Sequence, residues 1–443
     1  MKLPEYVQTC VDALEQAGFQ AYAVGGCVRD DLLGLTPEDF DLCTNALPEE
    51  TERVFAHRQL VLAGKKHGTV AVVMPEGLVE ITTYRTEGDY ADNRHPDWVR
   101  FVPDIREDLS RRDFTVNAMA FSPTRGYADP FGGREDLERK CLRAVGDPAQ
   151  RFREDSLRIL RGVRFAVKYH LRVEPETEQA MLSQAPLMDN LARERVFSEL
   201  CKLLPLVTAE DLKRFAPILG QVIPELGAEV DFDQCSPHHA FDLYTHTAKV
   251  TQSVGTDLTL RWAALLHDVG KVPTFTRDET GRGHFYGHAD QGAEMADAIL
   301  RRLKAPNALR EQTVSLIRLH MTRIEPTKKS LRRWLSRLGW ETVEKLLVLQ
   351  EADLGGKGVA EDGEEGKQFA VLRDLLEEIR RENACLTLKD LAVNGRDLLA
   401  LGIRGRALGE TLNALLEQVL EEALPNRRDA LLDYAENLER KSE

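Results

Sequence analysis

Apolar and polar positions in the first eighteen residues, MKLPEYVQTCVDALEQAG, follow the period of an amphipathic helix. AYAVGG (21–26) changes that pattern to a short apolar run closed by a glycine pair, and CVRDDLLG behind it returns to helical spacing. TVAVVM (69–74) and LVEITTYR (78–85) are β-rich runs around Pro75-Glu76-Gly77, a turn signal, so a hairpin is expected there. Residues 20–140 therefore read as mixed helix and strand. From about residue 141 to the end, Leu, Ala, Arg and Glu dominate and apolar residues keep helical spacing. Breaks fall near Pro224, at Ser236-Pro237, in TRDETGRGHFYGH (276–288) and in GGKGVAEDGEEGK (355–367). The last, rich in Gly and Glu without a core-forming pattern, is the expected linker.

Length and composition narrow the class. At roughly 150 residues per domain, 443 residues suggest about three folding units. With 42% hydrophobic and 30% charged residues, wholesale disorder is excluded. No apolar run reaches the roughly 20 residues that cross a bilayer, and the N-terminus lacks the apolar core of a signal peptide. Seven cysteines stand singly, without a CxxC pair, so neither a disulfide framework nor a thiolate zinc site is expected, and a reduced cytoplasmic location follows. The net charge of −14 argues against indiscriminate binding to nucleic acid while leaving room for local basic faces.

The chemistry begins at Gly25-Gly26. A glycine pair between strand and helix exposes backbone N–H groups to an anion, with Arg29 one turn on, although such a pair serves equally as a tight turn. In Asp39-Phe40-Asp41 on a strand, residues two apart face one side, so both carboxylates converge while Phe40 turns into the core. Two hard oxygen ligands so spaced suit Mg²⁺ held with substrate phosphates, and Glu80 on the neighbouring run is a possible third carboxylate. Downstream, RRDFTVNAM (111–119) offers an arginine pair suited to triphosphate oxygens, with Arg112 the chosen member, and DPFGG (129–133) follows.

VGGCVRD, DFDL, RRDFTVNAM, DPFGG and REDSLRILRGVRF occur in that order, and as an ordered set they resemble the class II tRNA nucleotidyltransferases, the CCA-adding enzymes whose relatives include bacterial poly(A) polymerase. The resemblance is best over residues 1–200 and looser beyond. It implies an α+β chain: a polymerase-β-like catalytic head with a mixed sheet (1–140), a helical neck and body (141–230), an HD domain (231–356) and a helical tRNA-binding tail (368–443). It implies Asp39 and Asp41 as catalytic Mg²⁺ ligands, Gly26, Arg29 and Arg112 around the triphosphate, and tRNA, ATP and CTP as partners, with no membrane. In the family a flexible loop corresponding to TEGDYADNRHPDWVRFV (86–102) helps the switch from C to A addition, so its presence favours complete CCA synthesis.

Base choice without a template has a chemical logic in the same set. Glu154 to Arg158 is expected to open a helix that continues through Arg161 and Arg164, placing Asp155 and Arg158 on one face. One acceptor and one donor match the amino group and ring nitrogen that cytosine and adenine share, and reject the reversed pattern of uracil and guanine by about 1–3 kcal/mol per contact. The resemblance assigns base reading to Asp155 and Arg158, nucleotide or phosphate support to Arg161 and Arg164, and neck stabilisation to Glu194, Arg195 and Glu199 in LARERVFSEL.

A second constellation resembles the HD phosphohydrolases: His246, His267-Asp268 in HDVGK, and Asp353. Imidazole and carboxylate ligands from several helices can hold a divalent transition metal, and His288 and His320 are candidates for a second site. Basic residues at the neck (Arg151, Arg153, Arg158, Arg161, Arg164, Lys168, Arg172), a patch at Lys328, Lys329, Arg332, Arg333 and Arg337 with Trp334 and Trp340, and the glycine-rich GIRGRALG (402–409) are the candidate RNA contacts. The function these features favour is addition of C, C and A to the tRNA 3′ end. Poly(A) polymerase, a partial CC- or A-adding enzyme, and an HD phosphohydrolase acting on RNA ends stand as alternatives.

Overall fold

The computed structural model describes residues 1–88, 99–236, 240–358 and 364–440. The chain forms two compact units, one of residues 1–227 with 302–304, the other of residues 228–301 with 305–443. The expected division at residue 140 therefore does not separate compact units.

In the first unit, α1 (Glu5–Gln16) buries Val7, Cys10, Val11 and Leu14, the apolar face that its sequence predicts. A mixed sheet follows, built from β1 (Ala21–Val24), β2 (Asp41–Thr44), β3 (Leu60–Val61), β4 (Thr69–Met74), β5 (Gly77–Thr83), β6 (Ala120–Ser122) and β7 (Gly126–Ala128). Its order is β3-β4-β5-β2-β1-β6-β7, antiparallel except where β5 runs parallel to β2. The β4–β5 hairpin turns with Met74 opposite Gly77, as the turn signal requires. Tyr22, Val24, Cys43, Tyr84, Leu109 and Ala120 form the core beneath this sheet. Behind β1, α2 (Gly26–Leu32) starts after Gly25, whose φ of 78° and ψ of −121° suit a residue without a Cβ.

The DPFGG segment is architectural. Asp129 accepts hydrogen bonds from the backbone N–H groups of Gly133 (2.7 Å) and Arg134 (2.9 Å), capping α3 (Gly133–Glu138). A Cβ on Gly133 would sit 2.2 Å from the Thr115 carbonyl oxygen and 2.8 Å from Met119 Cγ. Gly133→Ala is thus expected to destabilise this unit by about 2–3 kcal/mol through overpacking. Gly132→Ala, at a φ of 74° with nothing within 4 Å, should cost only the left-handed strain of about 1–2 kcal/mol. Equal shifts in the unfolding midpoints of the two variants would contradict this packing.

The neck differs from its expected form. α4 (Pro148–Glu154) ends just before Asp155, which is extended at φ −144° and ψ 100°, and α5 (Leu157–Lys168) begins beyond Ser156. Asp155 and Arg158 therefore do not share one continuous helix. α6 (Arg193–Leu203) packs against α5.

Among the described residues the second unit is helical apart from one small hairpin, Thr276–Arg277 with Gly283–His284, formed inside the stretch read as a break. Its α7 (Leu243–Ser253), α8 (Leu258–Leu266), α9 (His288–Arg302), α10 (Asn307–Leu319), α11 (Lys328–Leu338) and α12 (Trp340–Gly356) enclose Trp262, Leu266, Ile299 and Leu316, all buried. The expected linker at 355–367 is helical at both ends, since α12 reaches Gly356 and α13 (Glu364–Arg381) follows. Its middle, 359–363, lies outside the described residues, as do Pro237 and residues 89–98 of the polar 86–102 segment. α14 (Arg406–Leu420) and α15 (Arg428–Arg440) close the chain. None of the seven cysteines is in a disulfide, and no described helix is long and apolar enough to cross a membrane.

Candidate functional site

The acidic pair lies at the start of β2. Phe40 is buried while Asp39 and Asp41 are exposed on either side of it, the alternation their spacing demands, although the strand itself begins only at Asp41. Parallel pairing sets Asp41 beside Glu80 on β5. Crowding by protein raises the Asp41 pKa, the Glu80 charge and then Asp39 add to that rise, and Arg112 opposes it. Three carboxylates that repel one another around one edge are relieved by a cation, so the donor set fits a hard divalent metal.

Arg112 stands over the glycine turn: a Cβ on Gly25 would meet its Nη1 at 2.6 Å. Its buried Nε has no hydrogen-bond partner, and its guanidinium is 4.0 Å from the buried Asp108. That leaves donors for an incoming phosphate. Arg29 is placed differently. It is 6% exposed, its Nε donates to Asp30 (2.9 Å), Nη1 to Asn117 and Nη2 to the Tyr169 hydroxyl (2.5 Å), and the guanidinium lies 4.3 Å from the Tyr169 ring centroid. Every nitrogen is engaged by protein, and these bonds hold the turn that carries Gly26.

The neck arginines are likewise paired. Asp155 accepts from Arg195 (2.9 Å) and from the Leu157 N–H (3.1 Å), while Arg158 donates to Glu154 (2.9 Å) and to the carbonyls of Arg151 (3.1 Å) and Arg111 (3.0 Å). Arg161 donates to Asp113 (2.8 Å), and Arg164 to the buried Glu199 (2.6 Å). Burial opposes the charge on Asp113, but Arg161 and the Asn117 amide outweigh it and hold that carboxyl far below its ordinary range. Asp113 in turn accepts from Asn117 (3.0 Å), so one chain of polar groups runs Arg29–Asn117–Asp113–Arg161 from α2 to α5.

In the second unit, His246 from α7, His267 and Asp268 after α8, and Asp353 from α12 bring ligand atoms within 4.8 Å of one another, and Asp268 forms a second such group with His288 and His320. Among the described residues these are the clusters with metal-ligand spacing; Asp39, Asp41 and Glu80 are not drawn so close. The Nδ1–H groups of His267, His288 and His320 donate to the carbonyls of Ala264 (2.8 Å), Phe285 (2.8 Å) and Ile317 (2.6 Å). That sets the ring orientations and turns each Nε2 into the cluster. The buried Nε2 atoms of His288 and His320 have no hydrogen-bond partner. Burial lowers the pKa of both, that of His320 to about 4, so they are neutral donors at pH 7. Burial opposes charge on His267 too, but Asp268 and Asp353 push it up to about 10. His246 and His267 face each other Nε2 to Nε2 at 3.2 Å, where a shared proton or a cation must sit. The residues fit a transition metal, with Asp268 common to both groups.

Residues 21–143 match the family profile of the poly A polymerase head domain, residues 170–214 that of the RNA- and SrmB-binding site of polymerase A, and residues 284–435 that of tRNA nucleotidyltransferase domain 2. A CCA-adding enzyme from Levilactobacillus brevis is 34% identical over 438 residues, covering 97% of this chain and 96% of its own. One from Streptococcus mutans is 33% identical over 440 residues, covering 98% and 97%. The chain belongs to the CCA-adding enzymes. The crystal structure of the Bacillus stearothermophilus CCA-adding enzyme in complex with CTP superposes with a TM-score of 0.70 at 28% identity, covering 100% of this chain and 99% of that one.

Membership makes this chain a nucleotidyltransferase, with the mixed sheet inside the matched head domain. It also throws light on charge. The basic patch on α11 is met by glutamates: Lys328 by Glu378 (2.8 Å) and Glu382 (2.7 Å), Arg332 by Glu382 (2.8 Å) and Glu422, and Arg333 by Glu421. Lys328, Arg332 and Arg333 thus meet carboxylates where these helices come together, with the Lys329 and Arg333 side chains half exposed. Sequence reading gave no role to Asp108, Asp113, Asn117, Tyr169 and Glu229. Glu229 is fully buried, with its pKa driven up to about 8 by burial and held down somewhat by Thr247. Only Asp113 and Asn117 carried a local cue, their place four apart behind the arginine pair.

Proposed function

We propose that this chain adds C, C and A to the 3′ end of tRNA from CTP and ATP, without a template, and that Mg²⁺ at Asp39 and Asp41 supports the transfer. The observation that carries this reading is the near full-length likeness to CCA-adding enzymes with the outward carboxylate pair beside Arg112 and the glycine turn. When bound, the metal supplies charge neutralisation for the triphosphate and for the attacking oxygen. Arg112 grips phosphate oxygens, Gly25 and Gly26 let the backbone approach them, and Arg29 keeps that turn in place against Tyr169. The tRNA 3′-hydroxyl attacks the α-phosphorus, the new P–O bond forms, and the bond to pyrophosphate breaks. Asp155 and Arg158 read the base once Arg195 and Glu154 yield them. Arg161 and Arg164 brace the reading helix through Asp113 and Glu199.

The test is addition to a tRNA ending at its discriminator base, with CTP and ATP supplied separately and together. Three residues added only when both are present is the expected result; two C residues alone, or a long A ladder, would replace this reading by a partial adder or a poly(A) polymerase. In the same assay Asp155→Ala should raise UMP and GMP misincorporation roughly tenfold, equivalent to one lost contact of about 1–3 kcal/mol. Unchanged base preference in a four-nucleotide competition would remove Asp155 from the reading site.

A second reading rests on the His–Asp clusters of the second unit. We infer an HD-type site in which His246, His267, Asp268 and Asp353, with His288 and His320, hold a transition metal and hydrolyse a phosphoester. The separation of neck and body (141–230), HD segment (231–356) and tRNA-binding tail (368–443) belongs to the same proposal, as does a cytoplasmic place of action.

A further inference from the structure

The pocket over the His–Asp cluster has a feature that metal binding does not use. It is a cavity of about 240 Å³ whose floor includes Asp268, His288 and Asp353, with Lys271 and Lys357 beside them and His284 and Tyr286 at its edge. Lys271 lies 2.7 Å from Asp268 and Lys357 lies 2.8 Å from Asp353, so two ammonium groups flank the carboxylates where a phosphate would approach. The hairpin holds the His284 ring by an Asp278 carboxylate at 2.8 Å, and Asp278 also ties down the backbone N–H groups of Thr280 and Arg282. On that fixed imidazole the Tyr286 ring stacks at 5.4 Å between centroids and 5° between planes. Tyr286 is nevertheless 78% exposed, the most exposed of the chain's large apolar side chains among the described residues.

The stack beneath this exposed ring holds it flat, with its outer face open to a ligand. The cavity is smaller than the roughly 300–1,000 Å³ of pockets that engulf a whole small ligand. It has space for a phosphate and its sugar, with whatever the sugar carries left to lie on the rim.

Resting on the HD-type reading above, we propose that Tyr286, backed by His284, is the nucleobase platform of this pocket, so that the site takes the phosphorylated terminal nucleotide of an RNA or a free nucleoside monophosphate rather than phosphoesters at large. A stacking face accepts any base, because each has a π-surface. The platform therefore confers preference for nucleotides without choosing among them.

The test compares binding of adenosine 3′-monophosphate, which carries no triphosphate for the head, with that of ribose 5-phosphate, which has a phosphate and no base. Both are titrated into the full chain loaded with Mn²⁺, and bound metal is counted in parallel. The unsubstituted protein should favour the nucleotide. Tyr286→Ala should weaken the nucleotide about tenfold, within the range expected for one stacked base, and leave ribose phosphate and bound metal unaltered. Tyr286→Phe, which keeps the ring, should bind like the parent. Equal weakening of both ligands, or no weakening of the nucleotide, overturns the platform while metal and ribose phosphate binding leave the HD-type reading standing. A parent protein that binds neither Mn²⁺ nor ribose phosphate overturns both together.

Discussion

Asp41→Ala is expected to reduce incorporation of both CMP and AMP by roughly 10³-fold or more, the loss of several kcal/mol of charge stabilisation in the transition state. The reduction should fall on kcat, with tRNA binding retained, because Asp41 sits on the head strand next to Glu80 and far in role from any RNA grip. The sign of the accompanying stability change is the sharper test. A carboxyl whose folded-state pKa is raised, here by the protein crowded around it and by the charges of Glu80 and Asp39, opposes folding at every pH at which it is ionised. Removing its charge should therefore leave the unfolding midpoint unchanged or raise it, with Asp41→Asn as the isosteric control. A group that hurts the fold and serves the reaction behaves this way; a group kept for structure would show a lowered midpoint and near-normal turnover. Asp39→Ala should share the loss of turnover.

The second large effect is expected at Asp268. It lies 3.3 Å from His246, 3.1 Å from His267, 3.6 Å from His288 and 3.9 Å from His320, and 2.7 Å from Lys271. Burial opposes its ionisation, yet His267 and then Lys271 keep its pKa well below the ordinary carboxylate range, so it is a permanent anion at neutral pH. Asp268→Asn removes the anion common to both clusters. Loss of an outer partner of a metal ligand costs about 10–100-fold in affinity, so loss of a shared ligand should exceed about 100-fold. Metal analysis of the dialysed variant should find neither site filled, and phosphoester hydrolysis should fall to background. Asp353→Asn should empty only the group with His246 and His267, and His288→Ala only the other. Metal retained at full stoichiometry in Asp268→Asn would exclude it as a ligand.

Much of the head was legible from sequence because its signals are local. Strand-end glycines, an alternating Asp-Phe-Asp and a hairpin turn each state their geometry within a few residues. The His–Asp cluster was legible for another reason: a His-Asp dipeptide and the single residues His246, His288, His320 and Asp353 come together only if their helices converge, and the resemblance implied that convergence. What sequence could not give was partnership. Nothing near Arg29 in sequence announces Tyr169, 140 positions away, which accepts a hydrogen bond from it. The α11 patch looks like an RNA face until glutamates from α13 and from the end of α14 meet it. The neighbours of Asp155 have helical spacing, but its side chain caps the Leu157 N–H, and that local bond favours an extended backbone over a further helical turn. The Tyr286 platform had no periodic signal at all, since it depends on a hairpin closing against a helix start.

The polar chain from Arg29 to Arg161 has a consequence for how such proteins can be recombined. Arg29 leans on Tyr169, Asp113 on Arg161, and the short strand at Cys141–Leu142 runs parallel to Arg172–Val173. A head excised at residue 140 would forfeit all three, stranding two charged side chains in its interior. Grafts between related enzymes that aim to exchange base preference should therefore cross over beyond residue 173, or carry matched residues at 29, 113, 161 and 169. The smallest unit that keeps these bonds is the head together with α5 and the short strand behind it, so no cut before residue 173 releases a self-contained part.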